Sequence, residues 1–375
     1  MKINITVKNN DISIQLIDIF YAYVQSLDDS CNSEYKIQFS DSIDQSADVN
    51  IFWDSRPVKS IDTNGYDLVF LGNAGEPMSV SSDGIHQMWG KNNVYLMFNS
   101  HLMPDHMLKD KVIYFPDPIQ QCRDYWTRHF YPHHHKLQSK KSITRSNNII
   151  AINGANRTVR YHFFNKLKEK TNISVRSNFT KQIINTNHSY WESKDDFNFR
   201  NFLEEKYADV FEPELDYTYF TDSCVVGIDG KFGSVPPGYE IMSEYFEYSC
   251  IVYPESSWQN DELSITEKGL KCFYSGSLPF PIAGANVNRL YNELGFYTAW
   301  NLLPEELQSF DQEKDHFKRH DLIINALNWL DNNKQVFKSD LFKQLTLQNK
   351  LNMLTCNHVQ YAIDKIIGLL DECRH

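Results

Sequence analysis

Long apolar runs are missing from this chain of 375 residues. No stretch approaches the roughly 18 consecutive apolar residues of a membrane-crossing helix, so no transmembrane segment is expected. Basic excess is missing as well: 37 Lys and Arg stand against 48 Asp and Glu, a net charge of -11. That argues against a general nucleic-acid coat or a polybasic membrane binder, and leaves room for one local basic cleft. Cysteine is sparse, seven residues with no Cys-x-x-Cys pair. This fits reduced thiols in a cytosolic protein. The first residues, MKINITVKNNDISIQLIDIF, alternate apolar with polar and do not read as a signal peptide, so a cytoplasmic location is expected, a host cytoplasm if the protein is viral. Also absent are the Walker A sequence, Gly-x-Gly-x-x-Gly, His-Glu-x-x-His and Gly-x-Ser-x-Gly. The phosphate-loop ATPase, the dinucleotide oxidoreductase and the commonest hydrolases thereby lose their signatures.

What is present is 41% apolar content on a chain long enough for two domains. Short apolar runs bounded by Asp, Asn, Gly and Pro recur early: KINITV, YKIQF, VNIFW, YDLVFLG, NVYLMFN and VIYFP. They read as strands of a mostly parallel sheet. Helices are expected after Asp11 and from Pro118, just inside an Asp117 cap. The polar, basic stretch from Pro132 to Asn148, with His133, His134 and His135, reads as a solvated linker. Alternation then restarts with NIIAING, an amphipathic RTVRYHFFNKLKEK, and ISVRS. Further on come a helix near DDFNFRNFLEEKYADVF, the strands SCIVYPES and LPFPIAG, and the helix NVNRLYNELG. From Phe317 the pattern is nearly all helical. The expected architecture is α/β, two facing Rossmann-like domains with a helical C-terminal region. The boundaries are 1–135 for the first domain, 148–316 for the second, and 317–375 for helices packing at the junction.

In open α/β sheets ligands bind at the carboxyl ends of strands. Three such places stand out in the second half. In NIIAINGANRTVR, Arg157 and Arg160 open the helix after a strand; they are either solvated first-turn residues or a phosphate site. In VYPESSWQND, Glu255, Ser256 and Ser257 follow a strand; they form either a capping turn or a carboxylate site for a sugar or ribose diol. In SITEKGLKCFYSGSLPFPIAG, Ser264 stands at capping-box spacing from Glu267, with Thr266 as the alternative cap. Lys268, in the same first turn, opposes the helix dipole; it is either solvated or faces an anion.

Taken together, these segments resemble the fucosyltransferase family over about residues 148 to 300. Asn153, Arg160, Phe163 and Leu167 take the places of that family's strand–Asn–x–Arg–helix segment. Glu255, Ser256 and Ser257 stand where its Glu-Asn-Ser would, and Thr266, Glu267, Lys268, Gly276, Pro279 and Gly284 match its donor-site motif. LYNELGFYTAW is similar to the tail of fucosyltransferase-like proteins of bacteria and large phages. Two departures are visible: Ser256 replaces Asn, and the loop from Ser257 to Leu263 is longer. The first half carries no comparable match.

The resemblance implies a GT-B-like fold and a nucleotide-diphosphate sugar as co-substrate, with no metal or other cofactor. The Arg and Lys would hold the diphosphate and the Glu the sugar or ribose. The expected function is therefore an inverting glycosyltransferase acting on a hydroxyl of a glycan, lipid or protein. A first-half carboxylate after a strand, Asp54 or else Glu76, would be the base, unless each is a turn residue. A phage enzyme acting on a hydroxymethylated DNA base, and a non-catalytic nucleotide-sugar-binding protein, are the alternatives.

Overall fold

The computed structural model describes residues 1–8, 36–54, 64–71, 93–98, 112–114, 145, 147–153, 158–177, 194–207, 243–255, 258, 260, 263, 265–355 and 360–373. In chain order the strands and helices are β1 (Lys2–Lys8), β2 (Lys36–Ser40), β3 (Val49–Asp54), β4 (Leu68–Leu71), β5 (Val94–Phe98), β6 (Val112–Tyr114), β7 (Asn147–Asn153), α1 (Thr158–Lys170), β8 (Ser174–Ser177), α2 (Lys194–Lys206), α3 (Ser243–Glu247), β9 (Tyr248–Pro254), α4 (Glu267–Ser275), β10 (Leu278–Ile282), α5 (Val287–Glu293), α6 (His316–Asn332), α7 (Asp340–Thr355) and α8 (Gln360–Glu372). The helices expected after Asp11 and Pro118, the histidines of the expected linker, and Glu76, Arg157, Ser256, Ser257 and Ser264 lie outside the described residues. The end of that expected linker is structured instead: Arg145 donates to the Tyr248 and Ser275 carbonyls, and Asn147 and Asn148 open β7.

The protein is a mixed α/β protein with two parallel sheets. The chain divides into two compact units, Met1–Gln121 with Asn357–His375, and Cys122–Cys356. The first unit's sheet has the order β2-β1-β3-β4-β5-β6, every pairing parallel. β1 lies between β2 and β3, so the winding reverses at the β1–β3 junction, where Asp54 pairs in register with Lys8. Apolar side chains of this sheet, among them Ile3, Ile5, Val49 and Ile51, form one core with Ile366, Leu369 and Leu370 of α8.

The second unit's sheet has the order β10-β9-β7-β8, again all parallel. β7 is buried without a break from Ile149 to Asn153, and β10 along its whole length. Such continuous burial is what a parallel sheet covered on both faces requires, and it explains why these strands read as apolar runs rather than as alternating ones. Ile149, Ala151, Cys250, Val252, Leu278 and Phe280 share a core with Phe164 and Leu167 of α1 and with Ile323, Ile324, Leu327 and Leu330 of α6. α7 adds Phe342 and Leu345 to the same core. The C-terminal helices are thus divided: α6 and α7 pack in the second unit and α8 in the first.

An aromatic group joins α1, α2 and α6. Phe199 of α2 stacks on His316 of α6, ring centres 4.8 Å apart, and meets His320 edge-on. His162 of α1 lies 6.0 Å from His320, centre to centre, and its Nδ1 is 2.9 Å from the Tyr207 hydroxyl. Burial pushes His162 down to about 4, with Lys206 and Lys166 adding to the effect and Asp321 opposing it. His320 is held well below its usual value by burial, then by Arg319, His162, His316 and Lys166. Both rings are therefore neutral in the folded protein at pH 7. In the unfolded chain they take up protons near pH 6.5, so acid favours the unfolded state. Stability should fall from about pH 6.5 down to pH 4, by about 3 kcal/mol for His162 alone. Urea unfolding at pH 7 and pH 4.5 is expected to show this loss, and a smaller one in His162→Gln. An equal loss in both proteins would show that other groups carry it.

Candidate functional site

The second sheet also reverses its winding, between β7 and β9, which lie side by side at its centre. At such a switch point the connections leave in opposite directions and open a crevice beyond the carboxyl ends of the strands. Asn153 is the last residue of β7 and Glu255 directly follows β9; both are almost wholly buried. Arg160, in the first turn of α1, reaches across and donates from Nη2 to the Glu255 carbonyl at 3.0 Å. Asn153 and Arg160, and Glu255 from 95 residues beyond Arg160, are thereby brought to one end of one sheet.

α4 starts at the same end. Its N-cap is Thr266, in extended conformation, whose hydroxyl oxygen accepts from the Lys268 amide at 3.5 Å. With Thr266 as cap, Glu267 is the first helical residue, too early to close a capping box with Ser264. The helix ends at Gly276, whose φ of 79° is the left-handed conformation that favours glycine, with its N–H donating to the Cys272 carbonyl.

Glu255 turns its carboxylate inward. Oε2 accepts from the Thr266 hydroxyl at 2.6 Å, and Oε1 accepts from the Tyr291 hydroxyl at 2.9 Å and, at 3.4 Å, from the Thr266 amide. Behind Tyr291, the Tyr253 hydroxyl stands 2.8 Å away. Burial raises the Glu255 pKa, and Lys268, Thr266 and Tyr291 oppose that shift by favouring the charged form. Burial also lifts both tyrosines well above their usual range, so the two hydroxyls stay protonated. Gly269 passes directly over this pair: a Cβ there would lie 2.3 Å from Tyr291 Oη and 2.6 Å from Tyr253 Oη. The requirement for glycine at this position comes from the tyrosines.

Lys268 and Glu267 remain partly open, their side chains 20% and 34% exposed, with Nζ 3.4 Å from Glu267 Oε1. Nζ also donates to the Thr266 hydroxyl oxygen at 3.1 Å. For Glu267 burial pushes the pKa up, but Lys268 and Lys271 outweigh it and the net shift is downward. Among the described residues, the open side of the site thus holds the Lys268 ammonium and the Glu267 carboxylate at the positive end of a helix.

Supporting contacts fix the surroundings. Asn260, in the connection from β9 to α4, accepts from the Ala285 amide and from Arg319, and donates to the Lys314 carbonyl. α5, which carries Tyr291, is anchored by the Asp311 carboxylate, which accepts from the Asn288 and Arg289 amides. Tyr253, Tyr291, Gly269 and Asp311 were not among the residues singled out from sequence. The one available signal was the glycine in the first turn of a helix, where it is otherwise unfavourable.

No family model and no curated protein sequence matches this chain. Among solved structures, an α1,3-fucosyltransferase with GDP is similar at a TM-score of 0.40 and 12% identity, covering 100% of this chain and 90% of that one. The N-terminal domain of trehalose-6-phosphate phosphatase from Candida albicans is similar at a TM-score of 0.42 and 8% identity, covering 95% and 75%. The wall teichoic acid polymerase TagF is similar at a TM-score of 0.30 and 8% identity, covering 100% and 90%. These are likenesses of general outline, and none assigns a ligand or a reaction to this chain.

Among the described residues no helix is long and apolar enough to cross a membrane, and no three His, Cys, Asp or Glu side chains converge as metal ligands. Asp54 ends β3 at the switch point of the first sheet.

Proposed function

We propose that this chain is a glycosyltransferase whose second unit binds a nucleotide-diphosphate sugar at the β7–β9 switch point. The observation that carries the reading is the convergence of Arg160, Glu255 and the Thr266–Lys268 turn at the carboxyl end of one parallel sheet. These residues also carry the sequence resemblance to fucosyltransferases. Lys268 supplies a partly exposed point charge for the diphosphate, reinforced by the α4 amides and by the Arg160 guanidinium behind them. Asn153, Arg157, Ser256 and Ser257 belong to the same proposed donor site. Glu267, partly exposed beside Lys268, is assigned to hydroxyls of the sugar or ribose. Glu255 does not take that role in this reading, because its oxygens already accept from Thr266 and Tyr291.

The proposed reaction is direct displacement at the anomeric carbon with inversion. The acceptor hydroxyl attacks, its proton passes to a carboxylate, and the nucleoside diphosphate leaves with its added negative charge met by fixed cations rather than by a metal. Asp54 is the first candidate for that carboxylate and Glu76 the second.

The test is slow donor cleavage. Purified protein is incubated with a panel of nucleotide sugars without acceptor, and free sugar is measured. One donor is expected to be cleaved above background, by the wild type and not by Lys268→Ala. No cleavage of any donor, together with no binding of any, would reject the reading.

A further inference from the structure

Thr266 lies between a buried carboxylate and a partly exposed ammonium, and its hydroxyl has a single proton. With Glu255 ionised, the form that Lys268 and the Thr266 and Tyr291 hydroxyls favour, that proton is committed: Thr266 Oγ1 stands 2.6 Å from Glu255 Oε2, which then can only accept. The lone pairs of Oγ1 must therefore face the other way, toward the Lys268 amide at 3.5 Å and the Lys268 ammonium at 3.1 Å. Glu255 in turn is fixed by the Tyr291 hydroxyl, and Tyr291 by Tyr253. The chain of contacts runs from a fully enclosed tyrosine pair to Lys268.

We propose that Glu255 and Thr266 are positioning residues that act through Lys268, setting where its ammonium stands before an anion arrives. The proposal rests on the reading of Lys268 as a diphosphate ligand. An ammonium on a four-carbon stem samples many rotamers, and holding it in one place removes that loss of freedom from the binding step. A cap alone would need any hydroxyl or carboxamide oxygen at 266; the relay needs a hydroxyl whose proton is drawn away from Lys268. Thr266→Ser preserves both requirements. Thr266→Val keeps the shape and removes both. Glu255→Gln keeps the volume but leaves one acceptor oxygen for the Thr266 and Tyr291 hydroxyls and removes the charge that draws the Thr266 proton away from Lys268.

The probe is inorganic pyrophosphate, with affinity measured by titration calorimetry on the full chain and folding checked by circular dichroism. Lys268→Ala is expected to weaken binding about tenfold or more, as the loss of a charge-assisted contact does. Thr266→Val and Glu255→Gln should each weaken it severalfold, whereas Thr266→Ser should stay near wild type. The decisive variant is Thr266→Val with Lys268→Ala, which should bind no more weakly than Lys268→Ala alone, because the two residues act as one unit. If Lys268→Ala weakens binding while Thr266→Val and Glu255→Gln do not, the positioning role is wrong and the donor site stands. If the double variant is weaker than Lys268→Ala by the full Thr266→Val factor, Thr266 acts independently and the proposal is overturned. If Lys268→Ala binds like wild type, the donor-site reading itself fails, and the proposal with it. Should Thr266→Val not fold, Glu255→Gln combined with Lys268→Ala gives the same comparison.

Discussion

Replacing Lys268 with alanine is expected to lower turnover by about 100-fold to 1,000-fold while leaving the fold intact. The magnitude is that of removing one preorganised group aimed at charge that grows in the transition state. The fold should tolerate the change because Lys268 contributes little to it. Its ammonium touches a part-open carboxylate on Glu267 and the Thr266 hydroxyl, and the Thr266 and Tyr291 hydroxyls remain on Glu255 when it is removed. Both kcat and kcat/KM should fall. Lys268→Arg should recover part of the rate, since the charge returns on a side chain of different reach and shape. Steady-state rates with the donor found in the panel, together with thermal melts, give both halves of the comparison.

Alanine at Gly269 should have the second large effect, this time on folding and site together. In an ordinary helix the change from glycine to alanine is favourable by about 1 kcal/mol. Here the new methyl group would lie 2.3 Å from one tyrosine hydroxyl oxygen and 2.6 Å from another, both on enclosed side chains. Overpacking of this kind typically costs about 1–3 kcal/mol, and relief requires Tyr291 to leave Glu255. A melting temperature several degrees lower and weaker donor binding are expected. Adding Tyr291→Phe removes the nearer oxygen, so the double variant should be more stable than the sum of the single changes. A Gly269→Ala protein that melts with the wild type and binds the donor normally would show that the tyrosine pair gives way freely.

The strands were legible in the sequence because both faces of each sheet are covered. VNIFW, NIIAI and LPFPI are apolar apart from Asn50 and Asn148, and turn residues mark their ends. The positions of Arg160, Glu255 and the Thr266–Lys268 turn followed from the same reasoning, since each lies just beyond a strand or at a helix start. The direction in which Glu255 points was not legible. It depends on Tyr291, which is distant in sequence and rides on a helix anchored by Asp311. Local spacing offered two caps, Ser264 in a capping box with Glu267 or else Thr266; Thr266 caps the helix, its hydroxyl also donating to the carboxylate that follows β9. Helical periodicity likewise shows that α6, α7 and α8 each bury a face, but not against which core. Only the tertiary structure assigns α8 to the first unit.

The most direct test of the donor site is calorimetric titration of nucleoside diphosphates and their monophosphates into wild-type protein and into Lys268→Ala. At least one nucleoside diphosphate should bind the wild type, more tightly than its monophosphate, with an affinity that falls about tenfold or more in the variant. Equal affinity for wild type and variant, or no binding of any nucleoside diphosphate, would contradict the account.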